Sequence, residues 1–299
     1  MKITDRLVYI IIMLLKLISD KLTIQKRTQF GRFIGNVLRL LSKKRESITL
    51  TNIRLAFPTK TDTEIKSICK LSYQNLGITF IELLHLDKLT RGEAETYCKF
   101  NNVNIINEYQ KKGRGLILLS AHFGNWEYTA YTGGLFSEIP LNLVVKPQKN
   151  VIIDKVLNQY RTKSNNKVIN MYEAARDIYT TLLQGNVLAL MVDQSATKDK
   201  DVFIEFFGRP ASVYLAPAKL ALRNKTPLLI GLSKRNIDGT YSINIEEIYS
   251  DDLENNEDGI IELTLRHVKY LENKIKENPE LWAWQHNRWK HKPNGKIYK

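Results

Sequence analysis

Apolar residues recur along this chain in two rhythms, one helical and one of short unbroken runs. Residues 7–18 (LVYIIIMLLKLI) are almost continuously apolar, with Lys16 inside the run. As a helix this segment is about 18 Å long, short of the roughly 30 Å hydrocarbon thickness of a bilayer. The chain continues as Ser19-Asp20-Lys21, with no small-residue cleavage site. An uncleaved helix that dips into or lies along one leaflet is therefore expected rather than a secretory signal. A tilted span starting at Leu7 would have to bury Lys16, Asp20 and Lys21. Next, Phe30, Phe33, Ile34, Val37, Leu38 and Leu41 fall on one helical stripe, flanked by Arg32, Arg39, Lys43, Lys44 and Arg45. Such a basic amphipathic helix suits an anionic lipid surface, or packs its stripe on the main domain.

A further helix is expected from Asp62 and Thr63 to about His85. Beyond residue 113 the rhythm changes. Segments 115–120, 141–146, 167–170, 187–192, 227–233 and 241–248 read as strands. Segments 126–135, 151–163, 172–184, 213–224 and 258–277 read as helices. Residues 195–212, carrying Lys198, Lys200, Phe206-Phe207-Gly208 and Arg209, read as a mobile loop. Alternation of this kind predicts an α/β fold: a single domain whose central mixed, largely parallel sheet is flanked by helices. The expected division is an N-terminal basic, membrane-associated helical region (1–60) followed by a catalytic domain (61–299).

Charge sharpens the N-terminal reading. The 299 residues carry a net charge of +14, and residues 1–60 hold thirteen Lys/Arg against three Asp/Glu. Residues 282–299 hold five Lys/Arg and no acid, leaving the middle close to neutral. Basicity confined to the two ends marks docking surfaces for an anionic partner. A membrane surface fits; nucleic acid does not, because no helix-turn-helix, zinc finger or aromatic-basic sheet motif is visible. The two cysteines, Cys69 and Cys98, form no disulfide framework and fit a reducing compartment.

Candidate chemistry concentrates in His122-Phe123-Gly124-Asn125-Trp126-Glu127, directly after the first strand of the sheet. An imidazole near neutral pKa with a carboxylate close by is what abstraction of a hydroxyl proton requires. On one continuous helix, residues five apart point about 140° away from each other. His122 and Glu127 therefore converge only if His122 lies in the strand-to-helix turn, for which Gly124 and Asn125 supply the flexible residues. Asp193 follows a later strand, and reactive groups in such sheets gather at the carboxyl ends of strands, so His122 and Asp193 are expected to face one crevice. A zinc hydrolase is disfavoured: there is no His-Glu-x-x-His pair, and His85, His267, His286 and His291 lack paired ligand spacing. No Gly-x-Ser-x-Gly elbow points to a serine hydrolase. No metal and no cofactor is expected.

The runs GRGLILLSAHFGNWE (113–127), VDQSA (192–196), FFGRPA (206–211) and WAWQHNRWKHKP (282–293), with NIRLAFP (52–58), together resemble the lysophospholipid and lipid A acyltransferase family, the late acyltransferases of lipid A assembly. The likeness spans nearly the whole chain in the expected order. It implies a glycerolipid-acyltransferase-like fold and transfer of a fatty acyl chain from a thioester donor, acyl carrier protein or acyl-coenzyme A. The acceptor it implies is a hydroxyl of an anionic glycolipid, a lipid A precursor, at the cytoplasmic face of the inner membrane. Within that likeness the His-x4-Glu catalytic pair maps onto His122 and Glu127, and a downstream arginine onto Arg161. Asp193 matches the acid after the later strand. Arg288 and Trp289 match a terminal signature in which this chain has Asn287 where a second arginine is more usual.

In the expected mechanism His122 is the general base and Glu127 orients it, with direct transfer rather than an acyl-enzyme. Backbone N–H groups around Phe123–Asn125, Gly124 and Asn125 among them, at the helix N-terminus, together with Arg161, are candidate oxyanion donors. Arg161 and Arg288 are candidate phosphate contacts, or else solvated surface charges. Another glycolipid or aminolipid acceptor, and a non-catalytic basic protein of the membrane surface, remain as alternatives.

Overall fold

Four helices lead the chain: α1 (Ile3–Ser19), α2 (Ile24–Leu41), α3 (Lys43–Ala56) and α4 (Asp62–Leu83). The sheet region follows as α5 (Arg91–Tyr97), β1 (Cys98–Asn101), α6 (Asn104–Lys111), β2 (Leu116–Ser120), α7 (Trp126–Phe136), β3 (Leu141–Val145), α8 (Val151–Thr162), β4 (Lys167–Asn170), α9 (Ala175–Leu183) and β5 (Val187–Met191). It closes with β6 (Val202–Phe206), β7 (Arg209–Val213), α10 (Ala216–Asn224), β8 (Leu228–Arg235), β9 (Tyr241–Glu247), α11 (Glu257–Glu277) and β10 (Ile297–Tyr298). This computed structural model describes residues 3–113, 115–172, 175–196, 202–293 and 297–298.

Seven strands form one sheet in the order β1-β9-β8-β2-β5-β3-β4. All neighbours run parallel except β8 and β9, which are antiparallel. The sheet is mixed and mostly parallel, with helices against it. Central strand β2 is flanked by β5 and β8, and Leu116, Ile117 and Leu119 are fully buried. A strand covered on both faces needs that unbroken apolar run. The β2–β5 register sets Ser120 opposite Met191, so the segments leaving both strands start side by side.

α2 and α4 meet backbone to backbone. A Cβ on Gly35 would lie 2.2 Å from the Tyr73 carbonyl oxygen, and one on Gly77 would lie 2.3 Å from that of Gly31. The buried face of α2 is therefore Ile24, Arg27, Thr28, Gly31 and Gly35 rather than the aromatic stripe. Phe30, Ile34 and Leu38 pack at its edge, while Phe33 and Leu41 face outward. In α1, Lys16 turns inward to Asp87, Asp20 and the Leu84 carbonyl. Leu7, Ile10, Ile11, Leu14, Leu17 and Ile18 form an exposed stripe. Among the described residues no helix is long and apolar enough to cross a membrane.

The expected mobile loop 195–212 is instead largely a β-hairpin. β6 and β7 pair antiparallel, and β10 extends them into a three-stranded sheet. Lys198 and Lys200 lie outside the described residues. Because Val213 completes β7, the helix expected from that residue begins at Ala216, with Pro217 in its first turn, where its missing N–H costs nothing.

Candidate active site

The site lies where β2 and β5 end. His122 stands two residues beyond Ser120 and Asp193 two beyond Met191, so the strand register brings them together. Asp193 Oδ1 is 2.9 Å from His122 Nδ1, and Asp193 Oδ2 accepts a 2.9 Å hydrogen bond from Trp282 Nε1. The same tryptophan forms a β-bridge with Phe123, and Ala283 N donates to the His122 carbonyl at 2.9 Å. The terminal segment thus clamps both the imidazole's loop and its carboxylate. Asp193 is nearly inaccessible, whereas His122 retains about a quarter of its side-chain exposure.

Burial drags the His122 pKa down, but the charge and hydrogen bond of Asp193, with Glu127 nearby, outweigh it and leave it raised above its usual value. Burial pushes Asp193 up, and His122 together with the Trp282 hydrogen bond more than reverses this, leaving it lowered. A carboxylate on Nδ1 fixes the tautomer in which that nitrogen carries the proton. Nε2 is then the basic nitrogen, 3.5 Å from the Gln194 amide nitrogen.

Glu127 is not the group that holds the imidazole. At the second position of α7 it projects toward α8, where both its oxygens are taken by Arg161: Nε to Oε2 at 3.0 Å and Nη2 to Oε1 at 2.6 Å. Burial lowers the Arg161 pKa, and Glu127 more than restores it, leaving it raised. The sequence motif therefore splits into two adjoining contacts, the His122–Asp193 hydrogen bond and the Glu127–Arg161 ion pair.

The turn residues serve the loop rather than a substrate oxyanion. Gly124 has φ +62°, and a Cβ there would lie 1.9 Å from the Ser233 carbonyl oxygen. Its N–H donates to the Leu281 carbonyl at 2.9 Å, that of Phe123 to Ala121 at 2.7 Å, and that of Asn125 to Ser233 Oγ at 3.0 Å. The Asn125 side chain caps α7 by accepting from Tyr128 N at 3.0 Å. The N–H groups of Gly124 and Asn125, expected as oxyanion donors, are thus engaged within the protein. Arg288 is also placed differently from expectation. It is buried, donates to the Ser212 carbonyl at 2.6 Å and lies over the Phe206 ring, and its burial lowers its pKa to about 10. A phosphate in solvent has no direct access to it.

Two residues not singled out from sequence belong here, Trp282 and Gln194. Both lay inside runs that carried the family likeness, the only signal that reaches them. His122, Trp126, Asp193 and Gln194 line a crevice of about 360 Å³ together with Leu38 and Leu76. Ser120 Oγ donates to the Gly231 carbonyl at 2.8 Å, and burial lifts the Cys98 thiol to about 12, so neither is an activated nucleophile. Among the described residues no group of three or more His, Cys, Asp or Glu stands ready to hold a metal ion.

A histidine on a buried carboxylate beside a crevice with apolar and polar walls fits acyl transfer, and the comparisons with known proteins agree that the chain is an acyltransferase. The model of the bacterial lipid A biosynthesis acyltransferase family matches residues 2–291. The chain belongs to that family. It is an acyltransferase. Similar proteins include the lipid A biosynthesis palmitoleoyltransferase of Escherichia coli (strain K12), 23% identical over 276 residues that cover 89% of this chain and 85% of that protein. The lipid A biosynthesis lauroyltransferase of the same strain is 22% identical over 270 residues, covering 89% and 86%. A lipid A biosynthesis acyltransferase of Haemophilus influenzae is 22% identical over 261 residues, covering 86% and 81%.

Proposed function

We propose that this acyltransferase moves a fatty acyl chain from a thioester donor, acyl carrier protein ahead of acyl-coenzyme A, to a hydroxyl of a lipid A precursor at the cytoplasmic face of the inner membrane. The observation that carries the reading is the 2.9 Å contact of Asp193 with His122 Nδ1, which leaves Nε2 as the base in the crevice. The acceptor hydroxyl gives its proton to Nε2 as its oxygen attacks the thioester carbonyl. Asp193 holds the tautomer and stabilises the imidazolium, the part played by the carboxylate of a catalytic triad. Collapse of the tetrahedral intermediate breaks the C–S bond, and the imidazolium returns the proton to the thiolate.

With the N–H groups of Phe123, Gly124 and Asn125 engaged inside the protein, a side chain is the favoured donor for the oxyanion. The Gln194 amide, beside Nε2, is the candidate donor, and losing one such donor typically costs on the order of 3 kcal/mol in the barrier. The Glu127–Arg161 pair lies close enough for both its charges to act on His122. The engaged Ser120 hydroxyl and the buried Cys98 thiol favour direct transfer over a covalent acyl-enzyme. In the apposition of apolar Leu38, Leu76 and Trp126 with polar Gln194 and Gln285, the crevice has walls for both a hydrocarbon chain and a sugar.

The test is to incubate the purified protein with acyl carrier protein thioester and a lipid A precursor and weigh the lipid product. One added acyl chain, lost in His122→Ala, is expected. Product with only another glycolipid or aminolipid redirects the acceptor, and vesicle binding without any transfer overturns the enzyme reading.

A further inference from the structure

Against the loop of His122 and Glu127, outside the crevice lining, lies a second buried ion pair that the mechanism does not use. Glu82, near the end of α4, and Arg235, at the end of β8, approach to 2.9 Å with side-chain exposures of 2% and 8%. Two amides flank this pair. Glu82 Oε2 accepts from Asn125 Nδ2 at 2.7 Å and also from the Tyr241 hydroxyl. Arg235 Nη2 donates to Asn75 Oδ1 at 3.4 Å.

Each contact settles which way an amide faces. With its nitrogen held by a carboxylate, Asn125 must turn its oxygen to the N–H of Tyr128, so α7 starts where Glu127 can reach Arg161. With its oxygen held by a guanidinium, Asn75 must turn its nitrogen to the Gly124 carbonyl at 3.0 Å and the Leu281 carbonyl at 3.2 Å. Thr79 Oγ1 adds a 3.1 Å bond to the same Gly124 carbonyl. One ion pair therefore orients both grips on the loop that carries His122 and Glu127. Replacing a buried ion pair with apolar groups is often neutral or stabilising, so stability alone is a poor reason for this one.

We infer that Glu82 and Arg235 are positioning residues for acyl transfer, setting the amides of Asn125 and Asn75 and through them the placement of the loop that carries His122 and Glu127. The inference rests on the reading of His122 as the base. Glu82→Gln should lower kcat tenfold or more with KM for donor and acceptor within threefold of wild type. The acid limb of the pH profile should stay in place, since His122–Asp193 is untouched.

The double variant Glu82→Gln/Asn125→Asp reverses the polarity of the contact while keeping the net charge, and kcat should return to within threefold of wild type. If Glu82→Gln does not fold, Glu82→Leu/Arg235→Met removes both charges together and should fold with kcat still down tenfold or more. Wild-type kcat in either folded variant overturns the inference, as does a folded polarity-reversed variant no faster than Glu82→Gln. His122→Ala, run alongside, separates the two readings. If it retains activity the mechanism fails; if it is dead while the Glu82 variants run normally, only the positioning role falls.

Discussion

Asp193 Oδ1 stands 2.9 Å from His122 Nδ1, across a register in which the two parent strands end at paired residues. A base held this way must be neutral to act, so activity falls as pH drops through its pKa. Asp193 raises that pKa, placing the acid limb of kcat/KM above the ordinary histidine value of about 6.5. Asp193→Asn should move the limb to lower pH and cut kcat by roughly 10²–10⁴. Steady-state rates from pH 5 to 9 check both, and an unmoved limb with an unchanged plateau would falsify the pairing as the functional one.

The bidentate Glu127–Arg161 contact yields a coupling prediction. Lysine keeps the charge of Arg161 but loses the planar fork. Arg161→Lys and Glu127→Gln should each slow turnover about 10-fold or more, and the double variant should be far less impaired than the product of the two. A coupling energy of roughly 1–3 kcal/mol is expected from the four kcat values. Strict additivity would show that the two side chains act separately.

Much of this site was legible because it obeys local rules. The apolar runs that became β2 and β5 announced themselves, and His122 and Asp193 line the one crevice they were expected to share. The pairing was not legible. Chain proximity suggested Glu127 for His122, but strand order put Asp193 there, and adjacency of β2 and β5 is a tertiary fact. The hairpin β6–β7 hid for a different reason. Its turn places Phe207 at φ +54° and Gly208 at φ +69°, a pair of positive φ values usually signalled by Asn-Gly or Asp-Gly. Phenylalanine is held there by burial against Trp284 and by its N–H bond to Glu272 Oε2 at 2.6 Å, neither of which a local reading sees.

Two glycines with nearly the same φ give a controlled contrast. Gly208 has no atom within 4 Å of an added Cβ, so Gly208→Ala meets only the left-handed penalty of roughly 1–2 kcal/mol. Gly124→Ala meets the same penalty plus the Ser233 carbonyl oxygen, and should lose roughly 4 kcal/mol or more, with acyl transfer lost too. Urea unfolding midpoints of the two variants measure the difference. Equal destabilisation would mean that the catalytic loop has room to shift.

The exposed stripe of α1 makes the membrane role expected of the N-terminus testable. Lys16 and Asp20 are paired within the protein, so the outward face keeps Leu7, Ile10, Ile11, Leu14, Leu17 and Ile18 without a charge among them. Each leucine of the stripe is a little over half exposed, and moving that area into hydrocarbon is worth about 1 kcal/mol. Replacing Leu7, Leu14 and Leu17 by serine should therefore weaken binding to anionic phospholipid vesicles by roughly 10²-fold, since each 1.4 kcal/mol is tenfold. Because no residue of α1 lines the crevice, turnover on detergent-dispersed acceptor should stay near wild type. Vesicle sedimentation beside a micellar assay reads both quantities, and unchanged sedimentation would assign the stripe to some partner other than lipid.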